Sequence, residues 1–290
     1  MPKNTFISNA LTIDVEDYFQ VSAFSNIINK KNWDEKECRI EKNIDNIISI
    51  LDLKKIKATF FTLGWIAERY PSMIKKILME GHELASHGYA HEKVSEISKS
   101  DFYQDVTRAK GILEDIGGKQ INGYRAPSFS IAEKNFWAME ILSETGHRYS
   151  SSIYPVKHDH YGSPNAPRFP YKVFSELLEV PPTTVKLFGR NFPASGGGYF
   201  RLLPYSISKK MLDHVNNSEN KPVVFYFHPW EIDSHQPKIS NLSIKTRFRH
   251  YKNIEKMEEK IKKLVEDFHW DRMDNIFLKK ISVEKITIVN

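Results

Sequence analysis

The chain has 290 residues, 40% of them hydrophobic and 12% aromatic, with 42 Lys and Arg against 36 Asp and Glu for a net charge of +6. That apolar content argues against disorder, and the basic residues lie in short scattered runs such as Lys54-Lys55 and Lys262-Lys263, which read as solvated helix faces and not as a nucleic-acid groove. A single cysteine, Cys38, cannot staple the fold, and no run of about 18 apolar residues offers a membrane span. The first residues, MPKNTFISNALTIDVEDYF, hold no apolar core of signal-peptide length, so a cytoplasmic setting is expected.

In chain order, residues 10–15 (ALTIDV) read as a buried strand. Residues 40–53 place Ile40, Ile44, Ile47, Ile48 and Leu51 at helical spacing. ATFFTLG (58–64) is strand-like. A helix is expected from Pro71 to Gly81, and HELASH (82–87) is strand-like again. Ser100 is the expected N-cap of a helix that shows Phe102, Val106, Ala109 and Leu113 on one face and stops at Gly117-Gly118. A strand at 121–127, a helix at 132–145 and a strand at 148–153 follow. Residues 155–200 read as long loops with one strand near 177–181. A helix over 205–216 precedes PVVFYF (222–227), a nearly all-apolar strand, and 252–268 reads as a charged amphipathic helix. Alternation of strands and helices predicts βαβ units and a parallel sheet, and strands this apolar are buried on both faces. The expected fold class is α/β, a distorted (β/α) barrel over residues 1–235, with 236–290 as a C-terminal extension packed on it.

The polar residues that end these strands are the candidates for chemistry. Asp14-Val15-Glu16-Asp17 puts three carboxylates in four residues at the end of an apolar strand. A nearby cation would relieve their repulsion, whereas a solvated strand end with a helix cap is the plainer reading. His87 and His91, three residues apart in between, can converge on one ion. Two histidines and a carboxylate with open positions make a common catalytic metal arrangement, although two histidines on a surface loop would show the same spacing. Arg125 ends another strand and can hold a carboxylate ionised and oriented. His228 emerges from the apolar run Val223–Phe227 and suits proton transfer near neutral pH. The loop Ala194–Arg201, with three glycines, reads as a close-approach loop or as plain flexibility.

With TIDVED, SHGYAH, RAPSF and FHPWE in this order, the chain resembles the NodB-type polysaccharide deacetylases, carbohydrate esterase family 4, over roughly residues 8–235. It looks most like the D-V-E-D variants found in bacterial exopolysaccharide biosynthesis loci. The resemblance implies a metal-dependent hydrolase that removes N-acetyl groups from an amino-sugar polysaccharide. Zinc is the expected ion, with Co2+, Mn2+ or Ni2+ as alternatives. By resemblance Asp14 is the base, His87 and His91 are metal ligands, Arg125 orients the base, the Ser128 N–H is the oxyanion donor and His228 is the acid. The third ligand is Glu16 or Asp17, because Val15 stands where the family carries the ligand aspartate. The family's aspartate that tunes the acid has no counterpart around Ser150-Ser151-Ser152. Trp230, Tyr89 and Phe129, with Trp65, are candidate sugar-stacking aromatics. An N-acetylated glycan is the expected partner, near a polysaccharide assembly system. Hydrolysis of a non-sugar C–N bond and a catalytically silent glycan-binding barrel are the rival readings.

Overall fold

The computed structural model describes residues 7–158, 162–174, 176–280 and 287–288. Strand β1 (Asn9–Val15) is buried along its whole length, and its register explains why. It lies between β2 (Thr59–Thr62) and β10 (Val224–Phe227), parallel to both, with Val15 opposite Thr62 and Ile13 opposite Phe227. From β2 the sheet continues through β3 (Glu83–Ser86), β4 (Gly123–Tyr124) and β5 (Tyr149–Ser150), all parallel. β7 (Leu178–Glu179) and the antiparallel β6 (Tyr171–Lys172) follow, with β12 (Thr287–Ile288) beyond them. The result is an α/β fold with a curled sheet, a half-barrel of the (β/α) type. Because the strands are parallel, the positions just past Val15, Ser86, Tyr124 and Phe227 share one rim, where such folds build their sites.

The helices follow the apolar spacing. In α1 (Ile40–Asp52), Ile40, Ile44, Ile47, Ile48 and Leu51 are buried. After the short α2 (Gly64–Arg69), α3 (Pro71–Met79) starts on its proline and stops before Gly81, whose φ of 80° suits glycine. In α4 (Lys99–Gly117) the cap is Ser98, not Ser100. The Ser98 hydroxyl accepts the Asp101 N–H at 3.1 Å, which starts the helix a turn position earlier. α5 spans Trp137–Glu144.

Residues 155–200 are less irregular than the sequence suggests. Besides β6 and β7 they contain a hairpin, β8 (Thr184–Leu187) and β9 (Arg190–Pro193), and the glycine-rich loop opens α6 (Gly197–Leu202). After α7 (Tyr205–Asp213), α8 (Ile244–Tyr251) forms in a segment to which the sequence reading assigns no element. Asn253, at φ 58°, breaks the chain direction, so the helix expected at 252–268 becomes α9 (Met257–Asp267). Its Met257, Ile261, Leu264 and Val265 join the same core as Leu11, Ile13 and Phe225. β11 (Trp270–Asp271) then pairs with Asn9 and Ala10 of β1. Met273, Ile276 and Phe277 pack with Phe61, Ala85 and Tyr149.

One buried carboxyl gives a direct stability test. Glu179 Oε1 accepts the N–H groups of Ser152 and Ile153, at 2.9 and 2.8 Å. Burial pushes its pKa from 4.5 up to about 7. The fold therefore prefers the neutral acid; that stabilisation is complete below pH 4.5 and is lost as the pH rises through 7. Glu179→Gln stays neutral and keeps an acceptor oxygen. At pH 8 it is expected to be more stable than the parent by up to about 3 kcal/mol, at 1.36 kcal/mol per unit. The gain should vanish at pH 4. Melting temperatures that coincide at pH 8 would show that the carboxylate carries its charge there without cost.

Candidate active site

The rim gathers four strand ends. His87 follows β3, and its Nδ1 lies 2.8 Å from the Arg125 carbonyl oxygen. A carbonyl only accepts, so Nδ1 carries the proton and Nε2 presents its lone pair. Burial lowers the His87 pKa to about 4, which keeps the ring neutral. The loop then folds back through Gly88, at φ 74°, where a Cβ would stand 2.7 Å from Asp105 Oδ2. Asp105, on α4, accepts the Tyr89 N–H at 3.1 and 3.2 Å and so anchors the loop. His91 takes a left-handed conformation, φ 55°, and its Nε2 comes to 2.7 Å from Glu16 Oε2.

Glu16, His87 and His91 thus offer three ligand atoms that all lie within 4.8 Å of one another, with all three residues buried. Glu16 Oε2 is buried and receives no directed hydrogen bond despite its approach to His91. Burial raises the Glu16 pKa, but His91, His228 and His87 together outweigh it and hold the carboxyl at about 2. A buried carboxylate with an unsatisfied oxygen, facing two imidazoles of which one has its lone pair fixed outward, fits a divalent cation. Asp17, the other carboxylate left open by the sequence, points away from this triad. It accepts from the N–H groups of Tyr18 and Arg39 and from Cys38 Sγ, the first at 2.7 Å. A turn closed by Glu16 N–H on Asp14 O at 3.0 Å presents Glu16, while Asp17 caps the short helix at 18–20.

Arg125 follows β4 and is fully buried. It donates to Asp14 Oδ1 at 2.6 Å, to Thr12 Oγ1 at 2.8 Å, and to Ser151 O and Oγ at 3.2 and 2.9 Å. The serine run at 150–152, which lacks an aspartate, therefore holds the arginine. Ser128 and Phe129 both have positive φ, 55° and 49°. The Ser128 hydroxyl meets Ser22 Oγ at 2.7 Å, and Ser22 in turn lies 3.4 Å from His91 Nδ1.

The candidate stacking aromatics differ in how far they face the rim. Phe129 is buried against Tyr154 and Tyr226. Trp230 is only 6% exposed and is sandwiched between the rings of His228 and His250, at 5.2 and 4.3 Å. The Tyr89 ring lies under the Arg108 guanidinium, and Trp65 lies under that of Arg69. Trp230 and Phe129 are thus taken into the rim's own packing, while Tyr89 stays partly exposed.

His228 follows β10. Its Nε2 stands 3.5 Å from Glu16 Oε1 and 3.9 Å from Asp14 Oδ2, which brings it onto the same site as the triad. Its Nδ1 contacts Glu231 Oε2 at 3.0 Å, and that oxygen also accepts the His228 backbone N–H. Glu231 Oε1 takes Arg201 Nε at 3.0 Å. Burial lowers the His228 pKa, but Glu231, Glu16 and Asp14 outweigh it and raise it to about 9, so the ring keeps its proton at neutral pH. A cation on Glu16 would offset part of that rise. Glu231 stands in the FHPWE motif yet carries no role in the sequence reading. Its signal is the glycine pair upstream. A Cβ on Gly197 would lie 1.8 Å from Glu231 Oε2, and one on Gly196 would lie 2.6 Å from the Tyr226 hydroxyl. Two of the three glycines thus make a close approach, Gly196 to Tyr226 and Gly197 to Glu231, while Gly198 faces open space.

Comparison with known proteins bears on the same residues. Residues 32–150 match the polysaccharide deacetylase family. Residues 151–278 match a domain of unknown function, DUF3473. His87, His91 and Arg125 lie in the deacetylase segment, and Arg201, His228 and Glu231 lie in the second. The chain is 32% identical over 95 residues to the peptidoglycan-N-acetylglucosamine deacetylase of Bacillus cereus, covering 32% of this chain and 34% of that one. It is 26% identical over 113 residues to the peptidoglycan deacetylase of Helicobacter pylori, covering 39% of this chain and 38% of that one. The matches thus span about a third of each of these relatives. A protein from Mycobacterium smegmatis, provisionally described as a polysaccharide deacetylase, superposes with a TM-score of 0.66 over 100% of this chain and 95% of its own, at 20% identity, and so shares the fold.

Proposed function

We propose that the protein is a metal-dependent hydrolase that removes N-acetyl groups from an amino-sugar glycan and releases acetate. The observation that carries this reading is the convergence of the Glu16–His87–His91 triad, the Arg125–Asp14 pair and His228 on one rim. A divalent cation held by Glu16, His87 and His91 would supply the Lewis acidity that polarises an acetyl carbonyl and makes a water nucleophilic. Asp14 serves as the base. Its Oδ1 is tied to Arg125, and its Oδ2 lies on the His228 side, available to take the proton of the attacking water. His228 delivers a proton from Nε2 to the departing amine, which is a poor leaving group without it. The left-handed turn at Ser128 supplies a backbone N–H for the developing oxyanion.

The deacetylase relatives support an amino-sugar substrate. The D-V-E-D form of the first motif supports an exopolysaccharide as the polymer, in the cytoplasm beside an assembly system, and the free thiol Cys38 is compatible with that compartment. The test is acetate release from a panel of N-acetylated glycans: peptidoglycan, chitooligosaccharides and an amino-sugar exopolysaccharide. The panel is assayed after chelation and again after adding back Zn2+, Co2+, Mn2+ or Ni2+. Release that needs the metal is expected. Release that is undiminished by chelation, or none from any glycan, would sink the reading.

A further inference from the structure

The region that matches a domain of unknown function surrounds His228 with a support no catalytic role has yet explained. Arg201 is only 2% exposed and uses each of its guanidinium nitrogens. Nε donates to Glu231 Oε1 at 3.0 Å. Nη1 donates to the carbonyls of His250 and Lys252, both at 2.8 Å, and Nη2 to that of Arg249 at 3.0 Å. Those carbonyls lie at the C-terminus of α8, where a helix leaves its last acceptors open and its dipole favours a cation. The same helix end contributes His250, whose ring stacks on Trp230 at an interplanar angle of 11° and whose Nε2 meets Gln236 Oε1 at 2.7 Å. Trp230 then stacks on His228 at 21°. His228 is therefore fixed twice, at Nδ1 by Glu231 and across its face by Trp230, and both supports end on residues 249–252.

A plain packing role accounts poorly for this arrangement. A buried ion pair such as Arg201–Glu231 is weak evidence of stability, because desolvating two charges offsets their attraction. Glu231 spends one oxygen on the ring and backbone of a single partly exposed histidine. The chain also leaves glycine at 197, where any Cβ would displace that oxygen.

We propose that Glu231, held by Arg201, is the positioning residue of the acid His228, and that the region around α8 serves to build this support. The inference rests on the deacetylase reading for the identity of the acid. Glu231 accepts the Nδ1 proton and so leaves Nε2 as the atom that faces Asp14 and Glu16. The serine run at 150–152 supplies no carboxylate for this role, and Glu231 supplies one from three residues beyond the ring it holds.

The experiment compares two substrates on the metal-loaded full chain. An N-acetyl amino sugar needs its leaving nitrogen protonated. An aryl acetate ester does not, since a phenolate leaves unaided. Glu231→Gln keeps the size of the side chain but opposes an amide N–H to either Arg201 or His228. It is expected to lower kcat on the N-acetyl substrate on the order of 10²-fold with KM within about twofold, while ester hydrolysis stays within about threefold. Arg201→Lys keeps the charge without the fork and should show the same split more weakly. Gly197→Ala changes no charge and should show it through displacement of Glu231, and it decides the matter if Glu231→Gln does not fold. Equal losses on both substrates would make Glu231 merely structural, and no loss on either would leave His228 independent of it; both overturn the proposal. A readout that needs no turnover is the 15N NMR signal of His228. A protonated Nδ1 in the parent that is lost or weakened in Glu231→Gln is expected. An unprotonated Nδ1 in the parent overturns the proposal, whatever the glycan panel shows for the deacetylase reading.

Discussion

His87→Ala, His91→Ala and Glu16→Ala are each expected to weaken divalent-cation binding by more than about 10²-fold, beyond the 10–100-fold that loss of an outer-shell partner costs. Titration calorimetry on the chelated protein measures it. The three ligand atoms lie within 4.8 Å of one another, so removing one leaves two donors for an ion that commonly takes three protein ligands in a catalytic site. Asp17→Asn is the control. Its carboxylate already accepts from Tyr18, Arg39 and Cys38, so affinity should change by less than about tenfold while the melting temperature falls. A large affinity loss in Asp17→Asn with Glu16→Ala unaffected would reverse the ligand assignment.

The second large effect is on turnover. His228→Ala should lower kcat by roughly 10²–10⁴-fold, the usual contribution of a general acid, with a much smaller change in KM. The His228 side chain is 20% exposed and Glu231 keeps Arg201 when the ring is removed, so the melting temperature should move by only a few degrees. A variant that melts much earlier while its folded fraction turns over normally would make His228 a structural residue.

The sequence makes strand ends legible because an apolar run that stops at a polar residue marks both a buried strand and the edge at which it surfaces. Asp14, His87, Arg125 and His228 each follow such a run, and parallel register places them on one rim. The choice between Glu16 and Asp17 is not legible. It depends on a single turn after Asp14 and on partners at 38 and 39 that no local pattern reveals. The support of His228 is hidden for a similar reason, since Arg201 and Glu231 are 30 residues apart and the Glu231 carboxylate lies in space that Gly197 leaves free. Composition gives aromatic area without saying whether it faces a groove or a neighbouring ring; Trp230 and Phe129 pack on neighbouring rings. The hairpin at 184–193 carries Phe188 at a positive φ, a residue that turn chemistry alone does not suggest there.

The partners of β1 set an order on folding. β2 lies within fifty residues of β1 and can pair early, as local contacts close first. β10 and β11 pair with the same strand from more than two hundred residues away, Ala10 with Val224 and Asn9 with Trp270. Until they arrive, one flank of β1 offers unpaired backbone groups, and Phe61, Ala85 and Tyr149 lack Met273, Ile276 and Phe277 packed against them. A chain still on the ribosome thus holds an open sheet edge through most of its synthesis, which is a template for pairing with another chain. Slow refolding and loss to aggregation at high concentration follow from that topology, and both should worsen sharply when residues beyond 268 are removed.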